Sequence, residues 1–416
     1  MGSGRSGLIV ALDVGTTKVS CFIARNLHGQ PRIVGIGHQA ARGMRAGAVV
    51  DMDAVEGAVR AAVDSAERMS GEKAREVLIS LSAGQPVSQM VNLDVSIAGH
   101  AVTDGDVRRV LARARSLEVE GDRHIVHAIP TSFDIDGCRG IRDPRGMYGE
   151  RLGVTMNLIT AGTGPMRNLA NCVARAHLDL EAVVVSPYAA GLACLEEDQM
   201  ELGVAVVDMG GGTTKIGVFY DGGLVFADAV PVGGAHVTTD IARGLTTTLE
   251  TAERLKVVHG SALSTHIDEQ QQIEIRQVGD HDRHSVTQIP RSYLTGIIRP
   301  RVEETLELVR DRLEHSGFSR LAGRQVVLTG GACQLGGMRE LASRILDKQV
   351  LIGRPIRVSG LAEATGGPGF STCAGLLSYA LRDHARLDDA MEEEMPEPVA
   401  PIGRIARMGR WLMANF

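Results

Sequence analysis

The sequence LDVGTTK at residues 12–18 is echoed by VDMGGGTTK at residues 207–215. Each copy ends one apolar run of β-forming residues and begins another, which predicts two β-hairpins with Gly and Thr in their turns. Glycine lets the backbone turn sharply, and successive N–H groups can then converge on an anion. Two such hairpins, from two similar halves of the chain, are suited to clamp a polyphosphate. The repeat therefore predicts a cleft between two related lobes, with a nucleotide inside it.

A third glycine-rich turn follows a buried strand, in VVLTGGA at residues 326–332. A single turn of this kind is weak evidence for a phosphate site. Three such turns are stronger evidence, because two of them carry a matched Asp and Lys that a tight turn does not require. Because the sequence contains neither a Walker A pattern nor a GxGxxG pattern that follows a predicted strand and opens a helix, P-loop and Rossmann sites are disfavoured.

Length and composition restrict the class of protein. A chain of 416 residues is too long for one ordinary core and indicates two large lobes with insertions. The net charge of −6 argues against nucleic acid as a partner. No apolar stretch is long enough to span a bilayer. The six cysteines show neither a CxxC pair nor a metal-binding spacing, which indicates reduced, buried thiols in a cytoplasmic protein. Strands alternate with helices along the chain, which is typical of an α/β fold.

Taken together, the three turns resemble those of the actin-like ATPase superfamily. Two further stretches, HIVHAIP at 124–130 and GIRDPRGMYGERL at 140–152, resemble sequence motifs specific to the FtsA family of bacterial cell-division proteins. The resemblance runs from about residue 8 to residue 381 and includes the C-terminal tail. It implies a two-lobed actin-like (ribonuclease H-like) ATPase fold with an inserted subdomain, called 1C in that family.

The resemblance also implies the residues of an ATP site. The phosphate-1 motif is matched by Asp13, Gly15, Thr16, Thr17 and Lys18, and phosphate-2 by Asp208, Gly210, Gly211, Gly212 and Thr213. The adenosine motif is matched by Gly330, Gly331 and Ala332, and a Glu-x-x-Lys that contacts the nucleoside in relatives by Glu253 and Lys256.

Residue types suggest the roles within that site. Backbone N–H groups of the turns would hold the phosphates, with Lys18 as a candidate counter-charge. Asp13 and Asp208 would orient Mg²⁺ through its water shell, because Mg²⁺ gives up water reluctantly. Relatives that hydrolyse ATP well place a Glu or Gln where Ser186 aligns. Since Ser orients water weakly, we expect tight ATP binding with slow or undetectable hydrolysis, and therefore an adaptor rather than an enzyme.

Six units of the chain follow from the same resemblance. The first-lobe core (1A) comprises residues 1–84 and 160–202, with 1C inserted at 85–159. The second-lobe core (2A) comprises 203–233 and 301–383, with subdomain 2B at 234–300. Residues 384–401 are acidic and contain Pro, so they cannot bury enough apolar surface to fold and predict a flexible linker.

Residues 402–416 predict an amphipathic helix that binds a membrane. On a helical wheel, one apolar arc is formed by Ile402, Ile405, Gly409, Leu412, Met413 and Phe416. Arg404, Arg407 and Arg410 lie on the other side, with Met408 at the border and Trp411 among the arginines. Such a basic helix suits an anionic membrane surface better than docking back on the protein's own core.

These observations predict an ATP-binding, self-polymerising protein on the cytoplasmic face of the inner membrane at the division site. By resemblance it anchors FtsZ filaments through 2B and recruits later division proteins through 1C. Two alternatives remain: a pilus-assembly adaptor similar to PilM, and a sugar or acetate kinase of the same superfamily. Proteins similar to PilM lack both the C-terminal tail and the motif at 140–152. A sugar or acetate kinase would need a catalytic acid near its substrate.

Overall fold

The computed structural model describes residues 7–117, 119–278 and 287–382, with the side chains of Arg115 and Ile267 outside the description. The predicted linker at 384–401 and the predicted membrane helix at 402–416 lie outside the described residues. So does the segment His281-Asp-Arg-His284, whose two histidines lack, in sequence, the further ligands that a metal site needs. Within the described part of the chain, no helix combines the length and the apolar character needed to cross a membrane.

The first lobe begins with the first copy of the repeat. Three antiparallel strands come in order, followed by a two-stranded hairpin, a helix and a fourth sheet strand: β1 (Leu8–Val14), β2 (Lys18–Leu27), β3 (Gln30–Ala40), β4 (Met44–Arg45), β5 (Ala48–Val49), α1 (Met52–Ser70) and β6 (Glu76–Leu81). Helix α1 begins where the Asp51 carboxylate accepts from the Ala54 N–H at 3.1 Å, and it ends at Gly71.

An insertion then leaves this lobe and forms a sheet of its own. Its elements are β7 (Val87–Ser96), α2 (Asp104–Ala112), β8 (Arg123–Ile135), β9 (Cys138–Ile141) and β10 (Arg151–Gly162), with strand order β7-β10-β8-β9. Helix α2 covers one face of this sheet and buries Val107, Val110 and Leu111 in an apolar cluster separate from those of the two lobes. The insertion is therefore a packed unit with its own core.

The chain returns to the first lobe and completes its sheet. The elements are α3 (Thr163–Arg175), β11 (Asp179–Val185), α4 (Ser186–Cys194) and α5 (Glu197–Leu202). Strand β11 pairs in parallel with β6, which pairs in parallel with β1, and the sheet order is β11-β6-β1-β2-β3.

The second lobe repeats this topology. Its elements are β12 (Val204–Met209), β13 (Thr214–Tyr220), β14 (Gly223–Val230), α6 (Gly234–Gly244), α7 (Leu249–His259), β15 (Gln272–Ile275), β16 (Thr287–Pro290), α8 (Arg291–His315), β17 (Gln325–Thr329), α9 (Met338–Leu346), β18 (Gln349–Ile352) and α10 (Ser371–Ala380). Strands β15 and β16 form a separate two-stranded sheet. The sheet order β14-β13-β12-β17-β18 is that of the first lobe read from its β3 edge. The repeated sequence phrase thus marks two lobes with the same sheet topology.

Two helices join the lobes. Every residue of α4 and of α10 is buried, and the two helices pack against each other between the two large sheets. The cleft lies above this joint, where the turns after β1, β12 and β17 come together. Five of the six cysteines are buried free thiols, and Cys138 on β9 is exposed.

Candidate nucleotide-binding cleft

The three glycine-rich turns line one cavity of about 510 Å³ between the lobes, a volume typical of small-ligand sites. All fifteen residues predicted to contact the nucleotide line it, drawn from both lobes: Asp13, Gly15, Thr16, Thr17, Lys18, Asp208, Gly210, Gly211, Gly212, Thr213, Glu253, Lys256, Gly330, Gly331 and Ala332. Residues 195 positions apart in sequence, such as Asp13 and Asp208, therefore share one site.

The two hairpin turns have equivalent backbone hydrogen bonds. In the first, the Gly15 N–H donates to the carbonyl of Lys18 at 2.9 Å, and in the second the Gly210 N–H donates to the carbonyl of Thr213 at 3.0 Å. The turns also touch each other across the cleft, because a Cβ on Gly212 would lie 2.4 Å from the Thr16 hydroxyl oxygen. Only glycine fits there, and the two lobes meet at these two turns.

Helix α6 supports the second turn from behind. The Gly234 N–H donates to the carbonyl of Gly210 at 3.0 Å, and the Ala235 N–H donates to that of Gly211 at 2.7 Å. These contacts hold the carbonyl groups of the turn toward the helix. The turn is thus fixed before any ligand arrives.

The two carboxylates differ in their surroundings. The Ser80 hydroxyl donates to Asp13 Oδ1 at 2.5 Å. Burial raises the pKa of Asp13, and the Ser80 hydrogen bond and the charge of Lys215 act in the opposite direction. Asp208 is 4% exposed, and its Oδ2 lies 3.3 Å from Lys215 Nζ and accepts from the Thr372 hydroxyl at 3.2 Å.

The matched lysines of the repeat have different partners. Lys18 Nζ donates to the carbonyl of Gly369 at 2.7 Å and lies 3.3 Å from the centroid of the Phe370 ring. Lys215 Nζ faces Asp208 instead. Burial lowers the pKa of Lys18. Both side chains line the cleft, so two ammonium groups face the space predicted for phosphate.

The turn after β17 approaches the second turn closely. Gly330 has φ +84°, and a Cβ there would lie 2.4 Å from Asp208 Oδ1. A short 3₁₀ helix, Gly331–Gln334, follows and carries Ala332 at the cleft wall. Glycine at 330 is therefore required both by its left-handed backbone and by the neighbouring carboxylate.

Glu253 and Lys256 lie on α7 at the far end of the cleft. Lys256 Nζ lies 2.7 Å from Glu253 Oε2 and donates to the Thr238 hydroxyl at 2.8 Å and to the carbonyl of Gly234 at 3.1 Å. The pair connects α7 to the start of α6. Glu253 is half exposed, so its carboxylate faces the cleft opening.

The chain is similar to one family of known proteins in both its body and its insertion. Residues 205–375 match the family profile described as "Cell division protein FtsA", and residues 83–160 match that of the "SHS2 domain inserted in FTSA". Curated cell division protein FtsA sequences match along the whole chain: 48% identity in Rhizobium meliloti and 46% in Agrobacterium fabrum, each covering 100% of this chain and 96% of the relative. The Escherichia coli K12 protein is 34% identical, with 98% of each chain covered. This chain belongs to the FtsA family.

Solved structures show the fold of this FtsA family member. A chain of the PilM–PilN type IV pilus biogenesis complex superposes with a TM-score of 0.65 at 15% identity, covering 91% of this chain and 100% of that one. MreB5 of Spiroplasma citri bound to ADP superposes with a TM-score of 0.54 at 14% identity, covering 93% and 99%. The prediction of an actin-like two-lobed fold is confirmed.

In this FtsA sequence, Ser186 does not line the cleft. It is fully buried at the start of α4, where its hydroxyl donates to the carbonyl of Leu81 at 2.9 Å and lies 2.8 Å from the Ser82 hydroxyl. Ser82 lines the cavity and stands between Ser186 and the cleft. A hydroxyl held in this way is poorly placed to orient an attacking water.

Sequence reasoning missed several residues of the site. Lys215, Ser80 and Thr372 all act on the two carboxylates, and Gly369 receives Lys18. Lys215 was visible in the repeated phrase as the counterpart of Lys18. No local pattern marks Ser80, Gly369 or Thr372, because their roles depend on contacts between distant segments.

His124 and His127 of the HIVHAIP motif are a candidate metal-binding pair in sequence, but they lack companion ligands at a known spacing. In the structure His127 belongs to the core. His127 is 4% exposed, its Nε2 accepts from the Val185 N–H at 3.1 Å, and burial lowers its pKa to about 3. Within the described ranges, no group of three or more His, Cys, Asp or Glu side chains is arranged to hold a metal ion.

Proposed function

We propose that this FtsA family member binds ATP with Mg²⁺ between its lobes and acts as a membrane-bound adaptor in cell division. The observation that carries the nucleotide proposal is the cavity itself: three glycine-rich turns from both lobes meet around it, with two carboxylates and two lysines. Backbone N–H groups of the turns would hold the phosphates, and Glu253 with Lys256 would contact the nucleoside.

The donor chemistry fits Mg²⁺, which prefers oxygen ligands and keeps much of its water shell. Asp13 and Asp208 would hold the ion through that water. When bound, Mg²⁺ would neutralise phosphate charge. Because Ser186 is buried behind Ser82, ATP hydrolysis would be slow. Bound ATP would stabilise the closed arrangement of the lobes, and its hydrolysis would not drive the function.

Nucleotide binding is tested by titrating the purified full chain with a fluorescent ATP analogue. We expect saturable binding that Asp208→Asn weakens at least about tenfold, since one charged partner of the site is lost. Gly57→Ala on α1 is a control, because a Cβ there meets no atom within 4 Å. Equal affinity in wild type and Asp208→Asn would contradict the assignment of this cleft.

The adaptor role is supported by family membership and by the sequence of the tail. Residues 402–416 would bind the inner face of the cytoplasmic membrane through the arc of Ile402, Ile405, Leu412, Met413 and Phe416, flanked by Arg404, Arg407, Met408, Arg410 and Trp411. Residues 384–401 would link this helix to the body. The protein would form homopolymers there and anchor FtsZ filaments at the division site.

Separate parts of the chain would carry separate contacts. We assign the first-lobe core to 1–84 and 160–202, the insertion to 85–159, the second-lobe core to 203–233 and 301–383, and its subdomain to 234–300. The subdomain would contact FtsZ and the insertion later division proteins. The pilus-assembly and kinase alternatives are set aside, because the chain is an FtsA family member along its whole length.

Vesicle co-sedimentation tests the adaptor role. With anionic vesicles, ATP and FtsZ present, the full chain should bring FtsZ into the pellet, and a chain ending at residue 401 should leave it in solution. Arg404→Glu with Arg407→Glu provides a matched full-length variant, since reversal of two charges removes attraction to anionic lipid. FtsZ pelleting with the truncated chain would contradict the proposal.

A further inference from the structure

We propose that Lys215 supplies a built-in cation to the phosphate site, so that nucleotide binding by this chain depends only weakly on Mg²⁺. The inference rests on the proposed nucleotide binding and concerns the same cleft. It assigns to one residue a role that the family motif does not require, since the phosphate-2 match ends at Thr213.

The position of Lys215 follows from the strand register of its hairpin. In the second hairpin, the register pairs Lys215 directly opposite Asp208. The turn of the first hairpin has the same length, because Val14 pairs with Val19 as Met209 pairs with Thr214. There the residue opposite Asp13 is Ser20, and Lys18 pairs with Ala40 on β3. Directly opposed side chains of an antiparallel pair lie on the same face of the sheet. The two additional residues between Asp and Lys in the second copy of the repeat thus place an ammonium group opposite Asp208, whereas the residue opposite Asp13 is a serine.

The ion pair is buried inside the cleft. The Lys215 side chain is 8% exposed and that of Asp208 is 6% exposed, with Nζ and Oδ2 3.3 Å apart. A buried ion pair that breaks is costly, because an unpaired charge is left in a medium of low polarity. Lys215 therefore stays near Asp208 whether or not a divalent ion is present.

The same ammonium group would compete with a hydrated ion for Asp208. Asp208 Oδ2 already faces Lys215 Nζ and accepts from the Thr372 hydroxyl. Because Mg²⁺ approaches carboxylates through its water, it would have to displace Lys215 to use this oxygen. Asp13 and the other oxygen of Asp208 remain for the ion.

Charge balance supports the same conclusion. Asp13, Lys18, Asp208 and Lys215 line the phosphate end of the cavity, so its two negative and two positive side chains balance without any metal. Without Lys215 this end would carry a net negative charge and would repel a triphosphate unless Mg²⁺ were bound. Lys215 thus takes over part of the neutralisation that Mg²⁺ otherwise supplies.

The test compares ATP affinity of the full chain in excess Mg²⁺ and in EDTA, and uses the ratio of the two dissociation constants. We expect the ratio to be below about fivefold in wild type, and at least about tenfold larger in Lys215→Met, since one buried charge is removed. Lys73→Met is the matched control: it removes an exposed lysine that does not line the cavity, so it should leave both dissociation constants and their ratio unchanged.

A second readout is direct. Mn²⁺ bound in the presence of ATP, followed by electron paramagnetic resonance, should bind more tightly to Lys215→Met than to wild type. Lys215→Gln, which keeps a hydrogen-bond donor beside Asp208, repeats both measurements if the Met variant has a lowered melting temperature. A ratio that is equal in wild type and both variants overturns the inference and leaves nucleotide binding intact. If the wild-type chain binds ATP in neither buffer, the result contradicts the proposed nucleotide site as well.

Discussion

Lys18 joins the first hairpin to the segment that precedes α10: its Nζ donates to the carbonyl of Gly369 at 2.7 Å and lies 3.3 Å from the centroid of the Phe370 ring. Gly369 and Phe370 are more than 350 positions away, and Phe370 in turn stacks on Phe22 with ring centroids 5.9 Å apart. The Lys18 ammonium group therefore lines the cleft and also contacts the aromatic pair Phe370 and Phe22 through the Phe370 ring.

Lys18→Met should lower both ATP affinity and stability. The lost carbonyl hydrogen bond and the lost contact with the Phe370 ring together predict a decrease in the free energy of unfolding of about 1–3 kcal/mol. Urea unfolding and ATP titration measure the two effects. Lys73→Met is the control, because Lys73 is 81% exposed and should affect neither quantity. An unchanged urea midpoint in Lys18→Met would show that the ring contact contributes nothing.

Gly212→Val should impair nucleotide binding without unfolding either lobe. A Cβ on Gly212 would lie 2.4 Å from Thr16 Oγ1 and 3.0 Å from Ala46 Cα, so the variant must separate the two glycine-rich hairpin turns. We expect at least about a tenfold loss of ATP affinity, comparable to losing one charged hydrogen bond. Calorimetric titration checks the affinity, and circular dichroism checks the fold. Wild-type affinity in this variant would mean that contact between the turns is dispensable.

ATP turnover should be slow, below about 1 s⁻¹ and thus at the low end of enzyme turnover numbers. Ser186 is buried behind Ser82, so Ser186→Ala should leave the residual rate unchanged. Phosphate release by purified protein measures the rate. Asp208→Asn serves as the control for contaminating ATPases, because any rate that survives it does not come from this cleft. Brisk turnover that Asp208→Asn abolishes would disprove the prediction.

His127 should make stability depend on pH in a predictable direction. Its pKa falls from 6.5 to about 3 on burial. Below pH 6.5, His127 is protonated in the unfolded chain but stays neutral in the folded chain. The contribution of this group to the free energy of unfolding is therefore complete above pH 6.5 and decreases as the pH falls. Between pH 7 and pH 5 this single group should cost about 2 kcal/mol.

Urea unfolding at several pH values measures that slope. His127→Gln removes the imidazole and keeps an acceptor for the Val185 N–H, so its pH slope should be smaller than that of wild type. His177→Gln is the control, since His177 is exposed on the surface. Parallel slopes in wild type and His127→Gln would show that this imidazole is not the titrating group.

Much of the cleft could be predicted from local sequence. The apolar runs around Asp13 and Asp208 specify hairpins, and glycine at the turns is a backbone requirement that any reader of the sequence can recognise. The partners of those carboxylates could not be predicted. Ser80 and Thr372 come from segments with no marked pattern, and they reach the cleft only because the sheets and α10 bring them there.

The sequence by itself determined the duplicated hairpins, and therefore two lobes of equal topology with a nucleotide-sized cavity between them. Tertiary structure alone decided how the matched lysines are used. Local chemistry makes Lys18 and Lys215 look alike, but the two hairpins share one strand register in which the two lysines occupy different positions, and packing depends on distant segments. These two effects send Lys18 to Gly369 and Phe370, and Lys215 to Asp208.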